Sequence, residues 1–351
     1  MKDLLIIDAD GHLSEPDGDI RQRMHETHRA FNPAPVAGSE CWDRYLGGTV
    51  GKDNYDPHVQ LTDMDVEGID VQVIFPSGLS LSSWKNGGAA TDRARAYNDW
   101  LAEFCSVNPK RLKGVAQLAL QDVSAAIKEA RRAAEELGHV ALMMPTNVLD
   151  QDIGDRQFWP FYEEVERLGI TLAVHGGINS SERMFGRFNR SFIAVHTVAF
   201  PFECMTAMVG LIYAGVPETF PKLKIAILEG SVGWVPFLMD RMDEEWEIRG
   251  AREAPLLKRK PSEYMASGQF WYGFEIEESS IPFVIQRIGA DKLLYASDYP
   301  HWDSSWPNTV KTFLGREDIS DADKRQILGD NPQRLYGFAA EIAPSPAPVG
   351  V

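Results

Sequence analysis

Cysteine is scarce in this chain: Cys41, Cys105 and Cys204 are the only three in 351 residues, far apart and with no CxxC pair. That excludes a disulfide framework and a zinc knuckle, and it suits a reducing compartment. No GxGxxG or Walker signature occurs, so an open nucleotide-binding sheet has no support. Positive charge is short as well: 35 Lys and Arg stand against 51 Asp and Glu, a net charge of −16. A surface that acidic repels phosphate backbones and anionic lipid, so neither nucleic acid nor a membrane surface is an expected partner. A small anionic substrate remains compatible, because a metal or a local Arg reverses the field inside a pocket. The apolar run in MKDLLIIDAD is too short for a signal-peptide core, and no stretch reads as approaching the roughly 20 apolar residues of a membrane span. The expectation is a globular cytoplasmic protein.

What is present is a strand–helix alternation. Short apolar runs at Leu4–Asp8, Val71–Pro76, Leu112–Leu118, Val140–Pro145, Ile170–His175, Lys224–Leu228, Gln269–Phe274 and Leu293–Ser297 read as strands buried on both faces. Helical stretches fall between them at Ala89–Ser106, Asp122–Leu137, Phe158–Leu168, Ala199–Tyr213, Val235–Arg249 and Ser280–Ile288, with Ser304–Phe313 and Asp321–Leu328 after the last strand. Eight such units predict a parallel α/β fold, a closed (β/α)8 TIM barrel over residues 1–340. Two segments read as insertions, 17–59 after the first strand and 176–195 after the fifth, each long enough to wall a site. The Pro/Ala-rich tail 341–351 is set apart from the barrel.

Asp10 and His12 close the first strand, two residues apart and therefore on one face. A carboxylate and an imidazole so placed can share a metal ion, although capping by Asp10 and Glu15 with a core His12 is the plainer alternative. His175 ends the fifth strand before Gly176–Gly177, and Asp298 ends the eighth. No local motif links these positions. They meet only if the sheet closes, because a barrel gathers all strand C-termini around one mouth. His196 and His301 are further candidates, as substrate contacts or as ligands of a second metal. Arg183, Arg187, Arg190 and Trp302 are candidates for holding a substrate, the arginines through bidentate bonds to a carboxylate.

The segments DADGHLSEP (8–16), FPKLKIAILEG (220–230), ASDYPHWDS (296–304) and ILGDNPQRLYG (327–337), together with His175, resemble the amidohydrolase superfamily over nearly the whole chain. The similarity is to the group that includes aminocarboxymuconate-semialdehyde decarboxylase and the dihydroxybenzoate and resorcylate decarboxylases. It implies a metal-dependent barrel whose ligands here are Asp10, His12, His175 and Asp298. Two positions depart from the usual pattern. Asp10 stands where a His is common, and Glu229 stands where a strand-six His orients or deprotonates metal-bound water. Glu229 can do that work if burial and nearby acids raise its pKa, or it can bind a second metal, or it can cap the helix that follows.

The resemblance implies a hydrolase or a non-oxidative decarboxylase acting on a small organic acid or related carbonyl compound, with Glu229 and His196 as catalytic groups. The expected cofactor is a divalent metal, zinc first, with manganese or iron as alternatives. An oxygen-activating dinuclear iron or iron–manganese hydroxylase is a second reading, drawing Glu15, Glu229, His196 and His301 into the site. A metal-holding, non-catalytic subunit beside an active paralogue is a third. The partners expected are a small-molecule substrate and other subunits, identical or paralogous.

Overall fold

The computed structural model describes residues 4–31, 55–77, 81–177, 187–188, 191–301 and 303–338. Eight parallel strands run in chain order around a nearly closed barrel. They are β1 (Ile7–Leu13), β2 (Val71–Pro76), β3 (Leu112–Gln117), β4 (Ala141–Pro145), β5 (Thr171–His175), β6 (Lys224–Leu228), β7 (Phe270–Phe274) and β8 (Leu293–Tyr295). Helices follow the strands and cover the barrel, as parallel pairing requires. The seam between β8 and β1 is closed just past the end of β8. There Asp298 N donates to Asp10 O (3.2 Å) and His12 N donates to Tyr299 O (2.6 Å).

Alternate residues fill the lumen. Val71, Val73 and Phe75 of β2 meet Ile7 and Ala9 of β1, with small side chains such as Ala141, Ala173 and Ala226 completing the layers. Helix Asn331–Tyr336 plugs the N-terminal end, where Tyr336 donates to Ala9 O at 2.8 Å and Leu335 O accepts from Thr171 Oγ1 at 2.8 Å. The larger core lies between sheet and helices and includes Tyr97, Phe161, Met208, Tyr264 and Phe313.

Most strand boundaries agree with expectation to within one or two residues, including the aromatic β7. The first strand differs. It begins at Ile7 and runs on through Leu13, because a register shift between Asp8 and Gly11 carries it past the two acids. Helix Phe192–Tyr213 begins seven residues earlier than expected, capped by Ser191, whose Oγ accepts from Ala194 N at 3.3 Å. Pro201 sits inside this helix. Its 21-residue part Ile193–Tyr213 has a mean hydropathy of 1.5 and is long and apolar enough to cross a membrane, contrary to the reading that no stretch approaches that length. Half of that stretch is buried in this barrel, with Cys204, Met208, Leu211 and Ile212 in the core. Within the expected 17–59 insertion, helix Asp17–Arg23 and the start of helix Pro57–Glu67 are ordered elements. Residues 32–54 of it, most of 176–195 and the tail 341–351 lie outside the described residues.

Candidate metal centre

The bulge in β1 sets the chemistry of the mouth. Ile7 pairs with Val71 and Asp8 with Gln72, but Gly11 then pairs with Ile74 and His12 with Phe75. One extra residue therefore switches the parity of the strand. Ile7 and Ala9 face the lumen below the bulge, and His12 faces it above. A Cβ at Gly11 would come within 2.3 Å of Gln72 Nε2 and 2.5 Å of Asp8 Oδ2, so a larger residue here would displace the Asp8–Gln72 pair. Asp10 and His12 are fully buried, with His12 Nε2 3.5 Å from Asp10 Oδ1.

His175 ends β5 level with Pro145 and Leu228 of its neighbours. Its Nε2 lies 3.3 Å from Asp10 Oδ1, and its Nδ1 lies 2.7 Å from Gly176 O and 3.0 Å from Glu229 Oε2. These two acceptors hold a proton on Nδ1 and turn Nε2 toward Asp10, the arrangement that outer carboxylates impose on metal-binding histidines. Phe75 stacks on the same ring at 5.2 Å between centroids. Glu229 and Asp298 reach the mouth from backbone in the left-handed region, at φ 55 and φ 52. Such conformations cost roughly 1–3 kcal/mol and concentrate at functional sites. Asp298 Oδ1 lies 3.4 Å from His12 Nε2 and accepts from His301 Nδ1 at 2.6 Å.

Two groups of donors result. The ligand atoms of Asp10, His12 and His175 lie within 4.8 Å of one another, as do those of His12, Glu229, Asp298 and His301. They differ in satisfaction. Asp10 Oδ1, His12 Nε2 and His175 Nε2 are buried with no well-formed hydrogen bond, meeting one another only at 3.3–3.5 Å, whereas the Asp298–His301 and Glu229–His175 contacts are made at 2.6 and 3.0 Å. Three orphaned donor atoms converging from two strands are costly as they stand, and a divalent ion satisfies all three. The residues present therefore fit a divalent metal.

Electrostatics point the same way. Burial, aided by the charges of His301 and His175, holds His12 well below its ordinary pKa, so it is a neutral imidazole able to ligate. Burial opposes protonation of His175 too, but Asp10 and Glu229 outweigh it and raise its pKa well above normal, so without an ion Nε2 carries a proton, which a bound divalent ion would replace. Burial likewise opposes protonation of His301, yet Asp298 and Glu229 lift it to about 10. Glu229 is pushed up by burial and pulled down further by His175 and His301, ending below the usual carboxylate range. This direction is opposite to the one that burial and nearby acids alone would give, because the two imidazoles beside Glu229 outweigh them. Asp298, raised by burial against the pull of His301, reaches about 7.

The remaining candidates divide. His301 is brought to the mouth. His196 stands at the rim in helix Phe192–Tyr213, 3.5 Å from Asp303 Oδ2 and packed on Phe200, in neither donor group. Glu15 is also in neither; its charge acts on Arg93 and Tyr97. Arg187 is exposed, and Arg183, Arg190 and Trp302 lie outside the described residues. Glu229 does not cap the following helix. Glu278 does, accepting from Val232 N at 3.0 Å and Gly233 N at 3.0 Å. Sequence reasoning passed over Glu278, Phe75, Asp303 and Asp8. Only Asp8 carried a signal, as the first acid of DADGH.

The sequence profile of the amidohydrolase family matches residues 7–338. A 2-amino-3-carboxymuconate-6-semialdehyde decarboxylase from Dictyostelium discoideum is 26% identical over 302 residues, spanning 86% of this chain and 78% of that one. A gamma-resorcylate decarboxylase from a Polaromonas species is 28% identical over 292 residues, spanning 78% of this chain and 85% of its own. Among solved structures, a dihydroxybenzoic acid decarboxylase from Polaromonas, with bound manganese and the inhibitor 2-nitroresorcinol, superposes with a TM-score of 0.72 at 23% identity, over 96% of this chain and 97% of that one.

Proposed function

The chain belongs to the amidohydrolase family, and from that premise we propose that it is a divalent-metal-dependent, non-oxidative decarboxylase of a small acid whose carboxylate sits on an unsaturated or aromatic carbon. The observation that carries this is the convergence of the unpartnered Asp10 Oδ1, His12 Nε2 and His175 Nε2, with Asp298 Oδ1 3.4 Å from His12 Nε2. The relatives named for decarboxylation act, by their names, on carboxylates attached to such carbons. Manganese is the proposed metal in place of the expected zinc. Two carboxylates in a four-residue donor set favour a harder ion than zinc, and a structural neighbour binds manganese.

When bound, the ion supplies a Lewis acid that holds the substrate's oxygens and draws charge from the carbon losing CO2. The chain's own residues supply the rest. Decarboxylation breaks a C–C bond, releases CO2 and leaves the electron pair on carbon, which must gain a proton. His301, protonated and hydrogen-bonded to Asp298, is the proton store closest to the mouth, and Asp298 can hand that proton on. Glu229 fixes the His175 tautomer and balances charge.

A second reading has its own observation. The group His12, Glu229, Asp298 and His301 has the donor types for a second ion, which would suit an oxygen-activating dinuclear centre. One ion per chain is proposed, because in that group His301 Nδ1 is already hydrogen-bonded to Asp298. Manganese-loaded protein offered a panel of hydroxybenzoates and aminomuconate-type acids under argon is expected to release CO2, with His301→Ala slowing release by about 100-fold or more. Oxygen uptake with two metals per chain would replace this reading with the dinuclear one.

A further inference from the structure

Asp8 is a buried acid two residues from a proposed ligand, yet it points away from the metal donors. Its strand partner Gln72 alternates with the lumen residues Val71 and Val73, and Gln72 is met by Gln60 from helix Pro57–Glu67. Asp8 therefore lies behind β1, on the helix side. Donors occupy both oxygens. Oδ1 accepts from Ser297 N at 2.9 Å and Asp10 N at 3.3 Å, and Oδ2 accepts from Ser297 Oγ at 2.5 Å and Gln72 Nε2 at 2.9 Å. The contrast with Asp10 Oδ1, which faces only the His12 and His175 imidazoles at 3.5 and 3.3 Å, separates the two acids of the DADGH segment by role.

The location gives these bonds their consequence. The ladder of β8 ends at Tyr295, so the seam with β1 depends on a few bonds beyond it. Ser297 immediately precedes Asp298, and Asp10 N is itself one of the donors to Asp8. One carboxylate thus grips the backbone beside both proposed acidic ligands, Asp10 on β1 and Asp298 past β8. The grip extends sideways: Gln72 Oε1 accepts from Gln60 Nε2 at 2.6 Å, and the same nitrogen donates to His12 O at 3.1 Å. Ser297 Oγ also accepts from Tyr299 N at 3.1 Å, which ties down the turn carrying Asp298.

We propose that Asp8 is a positioning residue for the divalent ion, fixing the separation of Asp10 and Asp298 across the barrel seam through Ser297 and Gln72. This rests on the reading that Asp10, His12, His175 and Asp298 hold one divalent ion. All four groups around Asp8 are donors, so an amide in its place turns its NH2 toward other donors and splays the seam. The same exchange suggests a rescue. In Asp8→Asn/Gln72→Glu the acceptor sits on residue 72, where Gln60 still donates to it and the new amide at position 8 replaces the lost donor.

The test is Mn2+ titration of the metal-stripped full chain by calorimetry, with the electron paramagnetic resonance spectrum of the bound ion recorded alongside. Asp8→Asn is expected to bind Mn2+ about 10- to 100-fold more weakly, with an altered spectrum. Ser297→Ala should weaken binding by a smaller factor, and the Asp8→Asn/Gln72→Glu pair should recover most of the affinity. If Asp8→Asn fails to fold, Ser297→Ala carries the test. Folded variants with wild-type Mn2+ affinity and spectrum, whatever their melting temperature, would overturn the positioning role. Failure of the wild-type chain to bind Mn2+ would overturn the metal reading itself and this inference with it.

Discussion

Buried histidines occur at both ends of the barrel, and they are not alike. His139 lies at the N-terminal end, two residues before β4, and is 5% exposed; His12 and His175, at the mouth, are 0% and 4% exposed. Burial therefore does not distinguish them. Partners do. His139 Nε2 meets Asn98 O at 3.1 Å, and Asn98 in turn bonds Gln117 in both directions and Glu129, which Arg132 completes. His12 and His175 each keep an Nε2 with no hydrogen bond, both facing Asp10. Three of the five described non-glycine residues with positive φ, Glu229, Ser231 and Asp298, also stand at the mouth. The network around His139 is built to completion. The mouth is left short of partners and strained, which is what a site for something else requires.

The strongest way to break that comparison is at Asp10. Asp10→Asn should reduce Mn2+ affinity by more than about 100-fold, beyond the range for an outer-sphere residue. The metal-free protein should unfold at the same denaturant concentration or a higher one, because one of the mouth's buried carboxylates loses its charge. Titration calorimetry and urea unfolding read the two quantities. Undiminished Mn2+ binding would mean that the unpartnered atoms at the mouth are not ligands.

His139→Ala should do the reverse: Mn2+ affinity unchanged, unfolding free energy lower by about 3 kcal/mol from the cavity and the stranded Asn98 carbonyl. His139 also imposes a pH dependence. Burial, only partly offset by its carbonyl contacts, lowers its pKa from 6.5 to about 4. The unfolded chain therefore takes up this proton first, and the stability it supports is intact above pH 6.5 and lost as pH falls toward 4. Between pH 7 and pH 5 that amounts to about 2 kcal/mol, with about 3 kcal/mol as the full span. The variant should lack this component when unfolding is followed against pH in the metal-free state. A slope identical to wild type would show His139 to be as exchangeable as a surface histidine.

The barrel was legible because its signals are local. Apolar runs such as Val71–Pro76 and Lys224–Leu228 need only buried faces to read as strands, and both match the structure residue for residue. His175 and Asp298 were found because barrel closure forces strand ends together. What stayed hidden depends on contacts between distant segments. The parity switch in β1 is a pairing property, so DADGH showed which acids were present but not that Asp8 and Asp10 face opposite ways. The pull of His301 and His175 on Glu229 and Asp298 follows from distances of 2.6–3.7 Å across strands five, six and eight. The apolar length of helix Phe192–Tyr213 was masked by Pro201, and by His196 and Glu203, which punctuate it in sequence.

The smallest effect sharpens the comparison within the mouth itself, where not every acid belongs to the metal. From sequence, Glu229 was a plausible cap for the helix after β6. In the structure that helix, Trp234–Glu253, has no cap from its own N-terminal residue. Its free N–H groups at Val232 and Gly233 are taken by Glu278, which also accepts from Glu275 N and Ser280 Oγ at 2.8 and 3.0 Å. A carboxylate at a helix N-terminus gains from the exposed N–H groups and from the macrodipole, together about 1 kcal/mol. Glu278→Gln keeps an acceptor oxygen but loses the charge, so unfolding free energy should fall by about 1 kcal/mol or less with Mn2+ affinity untouched. Glu229→Gln should show the opposite signature. It removes the charge that holds the His175 Nδ1 proton, so Mn2+ affinity should fall by about 10-fold with little change in stability. Measured side by side, the two substitutions are the same chemical change at two acids that both serve the segment after β6. If Glu278→Gln weakens Mn2+ binding as much as Glu229→Gln does, the mouth acts as one diffuse acidic field, and the division between capping and metal-orienting carboxylates fails.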